Sequence, residues 1–513
     1  MVVLALAVLA GLTVAPAVSA KPKGKVGKPS LGDPLLPQLG NKGYDVREYR
    51  IRLNYDPAAN EFESAKTTIR ARAKQTLKRF SFDFQDLDVS KVKVRGRAAR
   101  FKQKDAKPDL SDNPEVTQPM KLFVKPKRSA RPKRGRGFTV TVRYSGTPEE
   151  FTDPDTSIEG WIRACFPLDP PQTCDGAFVV NEPMGAQSWF PSNNYPTDKA
   201  KFETLIRVPD SKTAIGVGEL ERTAEHGDGT TTWHWREDDP TATYLTTATV
   251  GDFIFNTESM TETSTGRTLP VYNAIDSTAS QTQLDAINAS LAQAPAQVNF
   301  LSDLYGPYPF DSTGAVADRA AGVGYALEVQ TKPHYSGGFT SGNPSIGIAT
   351  QLHELAHQWF GNSATLQRWP DIWFNEGWAN WSDWYWSFLE NEGDDPAALF
   401  DELYVETPDE DWSIAPAILD GDPANLFVTF PTYDRGAMTI QGYREIVGDD
   451  TFFDFARHLQ EEFAYDNVST NEFIAEAKAF SGLGGADLDL LDEYFQQWLF
   501  GTVRPTILPE DFD

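Results

Sequence analysis

Two histidines and two glutamates in one short stretch have the residue types and spacing of a metal site with its own base. In the run from Gln351 to Asp383, QLHELAHQWFGNSATLQRWPDIWFNEGWANWSD, the pattern His353-Glu354-x-x-His357 is followed by Asn375-Glu376-Gly377, with eighteen residues between His357 and Glu376. A helix over 351–360 sets His353 and His357 one turn apart on the same face, so two imidazoles can meet one metal ion. A second helix carrying Glu376 brings a carboxylate to the same point, giving a His, His, Glu ligand set with a fourth position open to water. Neutral imidazoles and a single carboxylate suit zinc and leave it net positive, which lowers the pKa of a bound water towards about 7. Glu354, next to the ligand face, is then the natural general base. Asp383 lies seven residues, two helical turns, beyond Glu376 and is placed to accept the free N–H of a ligating histidine; a solvated helix carboxylate is the alternative. Trp378, Trp381, Trp384 and Trp386 read as packing residues rather than a binding box. The bland reading of the motif is a core helix on which two of the chain's six histidines fall four apart.

The elements that must position these residues are legible in outline. The chain has 513 residues, 40% hydrophobic and 12% aromatic, enough for two or three domains with real cores. Met1 to Ala20 is apolar, ends in small residues and is followed by KPKGKVGKP, the pattern of a secretory signal peptide; a membrane anchor is the alternative, and an exported or extracellular protein is expected. Residues 21–40, rich in Lys, Gly and Pro, read as a disordered linker. Alternation at Tyr49, Ile51, Leu53 and Tyr55, repeated at Phe80, Phe82 and Phe84, predicts an all-β domain over 41–255. Asn256 to Arg267 reads as a Thr- and Ser-rich linker, and Thr282 to Leu304 as one helix opening a mainly α domain over 256–505.

Cys165 and Cys174, the two cysteines, are a plausible small-loop disulfide in an oxidising compartment. A net charge of −26 argues against nucleic acid or an anionic membrane as partner. A basic run from Lys91 to Arg136 interrupts this and reads as solvated strand faces, with anchoring to an anionic cell wall left open. Oligomeric state is not written in the sequence.

HELAHQWFGN followed by NEGWANW, with eighteen residues between His357 and Glu376, resembles the zinc aminopeptidases of the aminopeptidase N family in a short two-domain form; SFDFQDLDVSKVKV and SWFPSNNYPTDKAKFETLIRVP resemble that family's amino-terminal domain. The resemblance implies an amino-terminal β domain followed by a thermolysin-like α+β catalytic domain, one zinc ion per chain, and substrates that are peptides with a free amino terminus. Gly324-Tyr325-Ala326-Leu327-Glu328 stands where the family has Gly-x-Met-Glu-Asn. Leu327 and Val329 replace the Met and Asn, and one further residue lies between Gly324 and Leu327. By that match Gly324 and Glu328 belong to the substrate site, with Glu328 holding the substrate's ammonium. Glu182, nine residues before Pro191, matches a second amine-binding position, in surroundings that differ from the family's. Tyr433 in FPTYDRGAM matches the family tyrosine that donates to the oxyanion. Larger members carry a further carboxy-terminal helical domain, for which about 130 residues after Glu376 leave no room. The expected activity is secreted, zinc-dependent removal of amino-terminal residues. A thermolysin-like endopeptidase and a catalytically silent binding protein of the same fold are the alternatives, and an epoxide hydrolase side activity is left open.

Overall fold

The computed structural model describes residues 24–166, 173–320, 322–336, 346–390 and 393–512; the leader expected over 1–20 lies outside them. The amino-terminal part is all β, as the alternation predicts. Its main sheet has eight strands in the order Glu219–Glu225, Thr230–Thr241, Ala200–Pro209, Tyr44–Asp56, Glu61–Ala73, Gly137–Gly146, Asp88–Val94 and Arg97–Ala98. Tyr49, Ile51, Leu53, Ile69, Val140 and Val142 point inward to meet Trp161 and Phe178 of a five-stranded sheet, and all are buried. Side chains of opposite parity, Arg50, Arg52, Lys66 and Arg143 among them, face outward. A four-stranded sheet built on Leu77–Asp83 completes the domain. Cys165 and Cys174 face each other on adjacent strands and form the disulfide.

Three expectations are corrected. Residues 24–40 are packed, not a disordered linker: Lys25–Val26 pairs with Leu77–Asp83, and Leu35, Leu36 and Leu39 are buried. Asp33 accepts hydrogen bonds from the Tyr195 hydroxyl at 2.6 Å and from the Trp369 amide at 3.1 Å. The Lys, Gly and Pro content masks three leucines and one carboxylate that dock on both domains. The Thr-rich stretch after Asn256 is also not a linker, since Phe253–Glu262 pairs antiparallel with Arg267–Asp276 over ten residues; its β-branched threonines suit a strand with one solvated face. Finally, the helix expected over 282–304 is two helices, α1 (Gln281–Leu291) and α2 (Ala294–Tyr305). Ser280 and Gln283 cap α1 in a reciprocal box, and Pro295, which lacks an N–H, sits in the first turn of α2.

The second part is mainly α, with a five-stranded sheet in the order Phe253–Glu262, Arg267–Asp276, Thr313–Ala317, His334–Tyr335 and Ala326–Leu327. Seven further helices follow among the described residues: α3 (Ile348–Ala356), α4 (Trp373–Leu389), α5 (Pro396–Glu406), α6 (Arg435–Val447), α7 (Asp449–Glu462), α8 (Thr470–Phe480) and α9 (Ala486–Phe500). Their core is aromatic. Trp378 stacks on Phe360 with ring centroids 4.2 Å apart, Trp381 packs on Phe452 at 4.9 Å, and Trp386 is buried beside Phe300. The tryptophans of α4 that are buried are therefore packing residues, as expected.

Candidate active site

Helix α3 ends one residue before His357, whose backbone keeps the helical conformation and donates its amide to the His353 carbonyl at 3.2 Å. The one-turn spacing survives, and the two imidazole centroids stand 4.8 Å apart. Helix α4 presents Glu376 from its first turn: Glu376 Oε2 is 3.3 Å from His353 Nε2 and 3.4 Å from His357 Nε2. Three ligand atoms each about 2.0–2.2 Å from a common tetrahedral centre would be separated by about 3.3–3.6 Å. These side chains are therefore spaced as zinc ligands. His357 Nδ1 donates to the Phe360 carbonyl at 3.0 Å, and His353 Nδ1 faces Asp383 Oδ2 at 3.6 Å. Each outer nitrogen is thereby directed to an acceptor, which turns both Nε2 atoms inward.

All of this faces one cavity of about 430 Å³ between the two domains, lined also by Glu182, Tyr325, Glu328, Glu354, Phe427 and Tyr433. Glu328, Glu354 and His357 offer side-chain atoms within 4.8 Å of one another. Among the described residues no lysine or arginine lines the cavity. Burial pushes the Glu354 carboxyl up to about 7 against the pull of His353 and His357. Burial, Glu328 and Glu376 hold Glu182 well above the ordinary carboxylate range. For Glu376 burial works the other way from its neighbours, and His357 and His353 prevail and lower it. One oxygen of Glu182 and one of Glu328 are buried without any hydrogen-bond partner. A pocket with this many carboxylates is incomplete without cations.

Tyr433 lies in a π-helical turn, Thr429–Asp434, leading into α6, and its ring stacks on His353 with centroids 6.1 Å apart. Glu328 follows the edge strand Ala326–Leu327 beside α3. One predicted residue is not brought to the site: Gly324 is exposed and absent from the cavity lining, to which this segment contributes only from Tyr325 onward. The extra residue in this segment moves the glycine outward, and the Tyr325 hydroxyl instead ties the strand to the Ile158 carbonyl of the β domain at 2.6 Å.

Several supports were not visible in the sequence. Asn362 and Gln358, both just past α3, donate to the Glu328 carbonyl at 2.7 and 3.3 Å and so fix the backbone that carries that carboxylate. Lys199 of the β domain donates to the carbonyls of Asn362, Ser363 and Asp466 at 3.1, 2.7 and 3.0 Å. Asn375 donates to the Tyr244 hydroxyl at 3.2 Å and accepts from the Leu366 amide. Asn362 and Asn375 stand inside the motif stretch itself and Lys199 inside SWFPSNNYPTDKAKFETLIRVP, and these were the available signal; Tyr244 carried none.

The fold and the site define a mononuclear metal centre of the His, His, Glu type at a domain interface. The chain matches the Peptidase M1 N-terminal domain over residues 46–245 and the Peptidase family M1 domain over residues 347–498, and it belongs to peptidase family M1. It is 24% identical over 358 residues to human endoplasmic reticulum aminopeptidase 1, covering 66% of this chain and 36% of the relative. It is 29% identical over 331 residues to aminopeptidase M1-B of Oryza sativa subsp. japonica, covering 60% and 35%. The chain thus spans about a third of the length of these curated relatives. An M1 zinc metallopeptidase mutant of Deinococcus radiodurans, bound to a Tyr-Ser-Ala substrate, superposes with a TM-score of 0.76 at 24% identity, covering 93% of this chain and 99% of that one. A two-domain M1 zinc metallopeptidase mutant bound to L-arginine gives the same TM-score and identity. Zinc is the cofactor of this family, and the donor set here fits it.

Proposed function

We propose that this protein is a secreted zinc aminopeptidase that hydrolyses the first peptide bond of peptides with a free amino terminus. The observation that carries the reading is the pair of buried, unpartnered carboxylates, Glu182 and Glu328, in the same cavity as the His353, His357 and Glu376 set. A substrate ammonium supplies the cation they lack, and an endopeptidase has no use for such a pair.

His353, His357 and Glu376 would hold zinc, which would supply a Lewis acid and lower the pKa of a water it binds. Glu354 accepts the proton of the attacking water and passes it to the leaving amine, a task for which a carboxyl raised towards neutrality is suited. Tyr433 donates its phenolic hydrogen to the oxygen on which charge develops, an interaction stronger in the transition state than in the ground state. Glu328, with Glu182, holds the ammonium and so limits cutting to one residue from the end. Secretion rests on the leader-like sequence of Met1 to Ala20.

A panel of aminoacyl fluorogenic substrates, assayed with and without chelator and alongside Nα-acetylated counterparts, tests the reading. Chelator-sensitive cleavage confined to the free amines is the expected result. Cleavage of acetylated peptides at internal bonds would overturn it in favour of an endopeptidase.

A further inference from the structure

The charge of this molecule is divided between its domains. Of 47 Lys and Arg residues, 38 lie in the first 255 positions, giving that part a net charge of +6 against −32 for the remainder. On the outer face of the eight-stranded sheet the strand register sets Arg222 opposite His234, His234 opposite Leu205 and Leu205 opposite Arg52. The row continues from Arg52 to Lys66, from Lys66 to Arg143 and from Arg143 to Lys91. Adjacent strands are about 4.8 Å apart, so the four consecutive cations from Arg52 to Lys91 span about 14 Å.

Like charges directly opposite each other destabilise a sheet. In the neighbouring row Glu203 bridges Arg50 at 3.0 Å, and it reaches across to His234 of this row at 2.9 Å. Among the described residues Arg52, Lys66, Arg143, Arg222 and Lys91 have no ion-pair partner, and a depression of about 490 Å³ opens over the first four. Burial, Arg52 and Arg143 together lower the Lys66 ammonium from its ordinary value. A sheet stabilised for its own sake would alternate signs here.

We propose that this face is a binding site for a linear phosphate-bearing polymer without bases, lying across the strands along the row from Arg222 to Lys91. Three of the unpartnered cations lining the depression, Arg52, Arg143 and Arg222, are arginines, whose planar forks match phosphate oxygens, while Arg50 and Arg207 are held by Glu203 and Asp228. No Phe, Tyr or Trp lines it, so there is no platform on which nucleic-acid bases would stack. None of the large apolar side chains exposed on the described surface sits on this sheet, so nothing there would enter a lipid bilayer.

The test is equilibrium binding of fluorescent long-chain polyphosphate to the full-length protein across a salt series. Single-stranded DNA, polyglutamate and anionic phospholipid vesicles are run beside it. Expected is salt-sensitive binding of polyphosphate that weakens at least tenfold in Lys66→Glu/Arg143→Glu. The slope of log K against log salt should fall by roughly 1–2 in that variant. Lys127→Glu/Arg128→Glu, an equal charge change at exposed positions elsewhere in the domain, should bind within twofold of wild type. Unchanged peptidase activity in both variants reports that they are folded. No binding at low salt, or equal losses in both variants, would overturn the site. Tighter row-dependent binding of DNA, polyglutamate or vesicles would overturn the assignment to phosphate polymers. Self-association that the row variant abolishes would show a second copy's acidic catalytic half on this face, and would overturn the proposal too.

Discussion

Glu354 and Glu328 are both buried carboxylates within reach of His357, yet they are expected to fail differently when changed. Glu354→Gln removes the base and leaves the ligands, so bound zinc by elemental analysis should stay near one per chain while kcat falls by about 10²–10⁴-fold. Loss of the metal in that variant would reassign Glu354 as a ligand. Glu328→Ala removes the carboxylate proposed to hold the substrate ammonium. Its kcat/KM for free-amine peptides should drop by about two orders of magnitude, while that for an acetylated analogue, already poor, changes little. A parallel fall in both would make Glu328 structural. At this scale the sequence was most legible where chemistry demands a residue type at a fixed spacing, as in His353, His357 and Glu376. Gly324 was misplaced because one inserted residue alters where a loop glycine goes without altering where the following strand goes. Lys199 and Tyr244 act across the domain boundary, and a linear sequence holds no periodicity for such contacts.

Helices α4 and α6 touch through glycine. A Cβ on Gly377 would lie 2.7 Å from the Gly436 carbonyl carbon and 2.9 Å from its Cα, both backbone atoms that cannot rotate away. Gly377→Ala therefore forces apart the helix that carries Glu376 and the one that follows Tyr433. Overpacking of this kind costs about 1–3 kcal/mol, so a lower Tm accompanied by a disproportionate loss of kcat is expected, read by calorimetry and kinetics on one preparation. A second element-scale prediction concerns the strand His334–Tyr335. His334 Nδ1 donates to the Lys332 carbonyl at 2.8 Å and Nε2 lies 3.0 Å from the Thr249 hydroxyl, in a ring that is fully buried. Burial, together with the Lys332 charge, lowers it from the ordinary value to about 3, although the backbone bond to Lys332 works in the opposite direction. Between about 6.5 and 3 the unfolded chain binds a proton that the folded one refuses, so stability falls as the pH drops through that window. His334→Gln should flatten the decline of the urea midpoint between pH 7 and pH 4.5; an unchanged decline would show that other groups govern it. Element type was readable from alternation and from helical stripes. The break between α1 and α2 and the strand at Phe253–Glu262 were not, because a proline and a run of threonines are equally at home in loops.

For the molecule as a whole, zinc and stability are linked. Glu182, Glu328, Glu354 and Glu376 crowd one cavity, and a ligand that binds only the folded state stabilises it by about 4 kcal/mol at a thousand times its dissociation constant. Chelation should therefore lower Tm by several degrees, and stoichiometric zinc should restore it, as followed by scanning fluorimetry. An unshifted Tm in protein shown to be metal-free would dissociate the site from the fold. The division into a β part and a mainly α part was visible from composition and pattern, while the docking of residues 24–40 on both was hidden by their linker-like content. That docking, with the three carbonyls gathered by Lys199, bears on how such proteins can be recombined. A chimera that grafts a foreign β domain onto this catalytic half inherits the His353, His357 and Glu376 set intact. It nevertheless leaves the loop after the second histidine without its clasp unless the donor brings a lysine to the position of Lys199. The unit of inheritance for this active site is the pair of domains, and shuffling at the visible boundary should yield metal-loaded but sluggish hybrids.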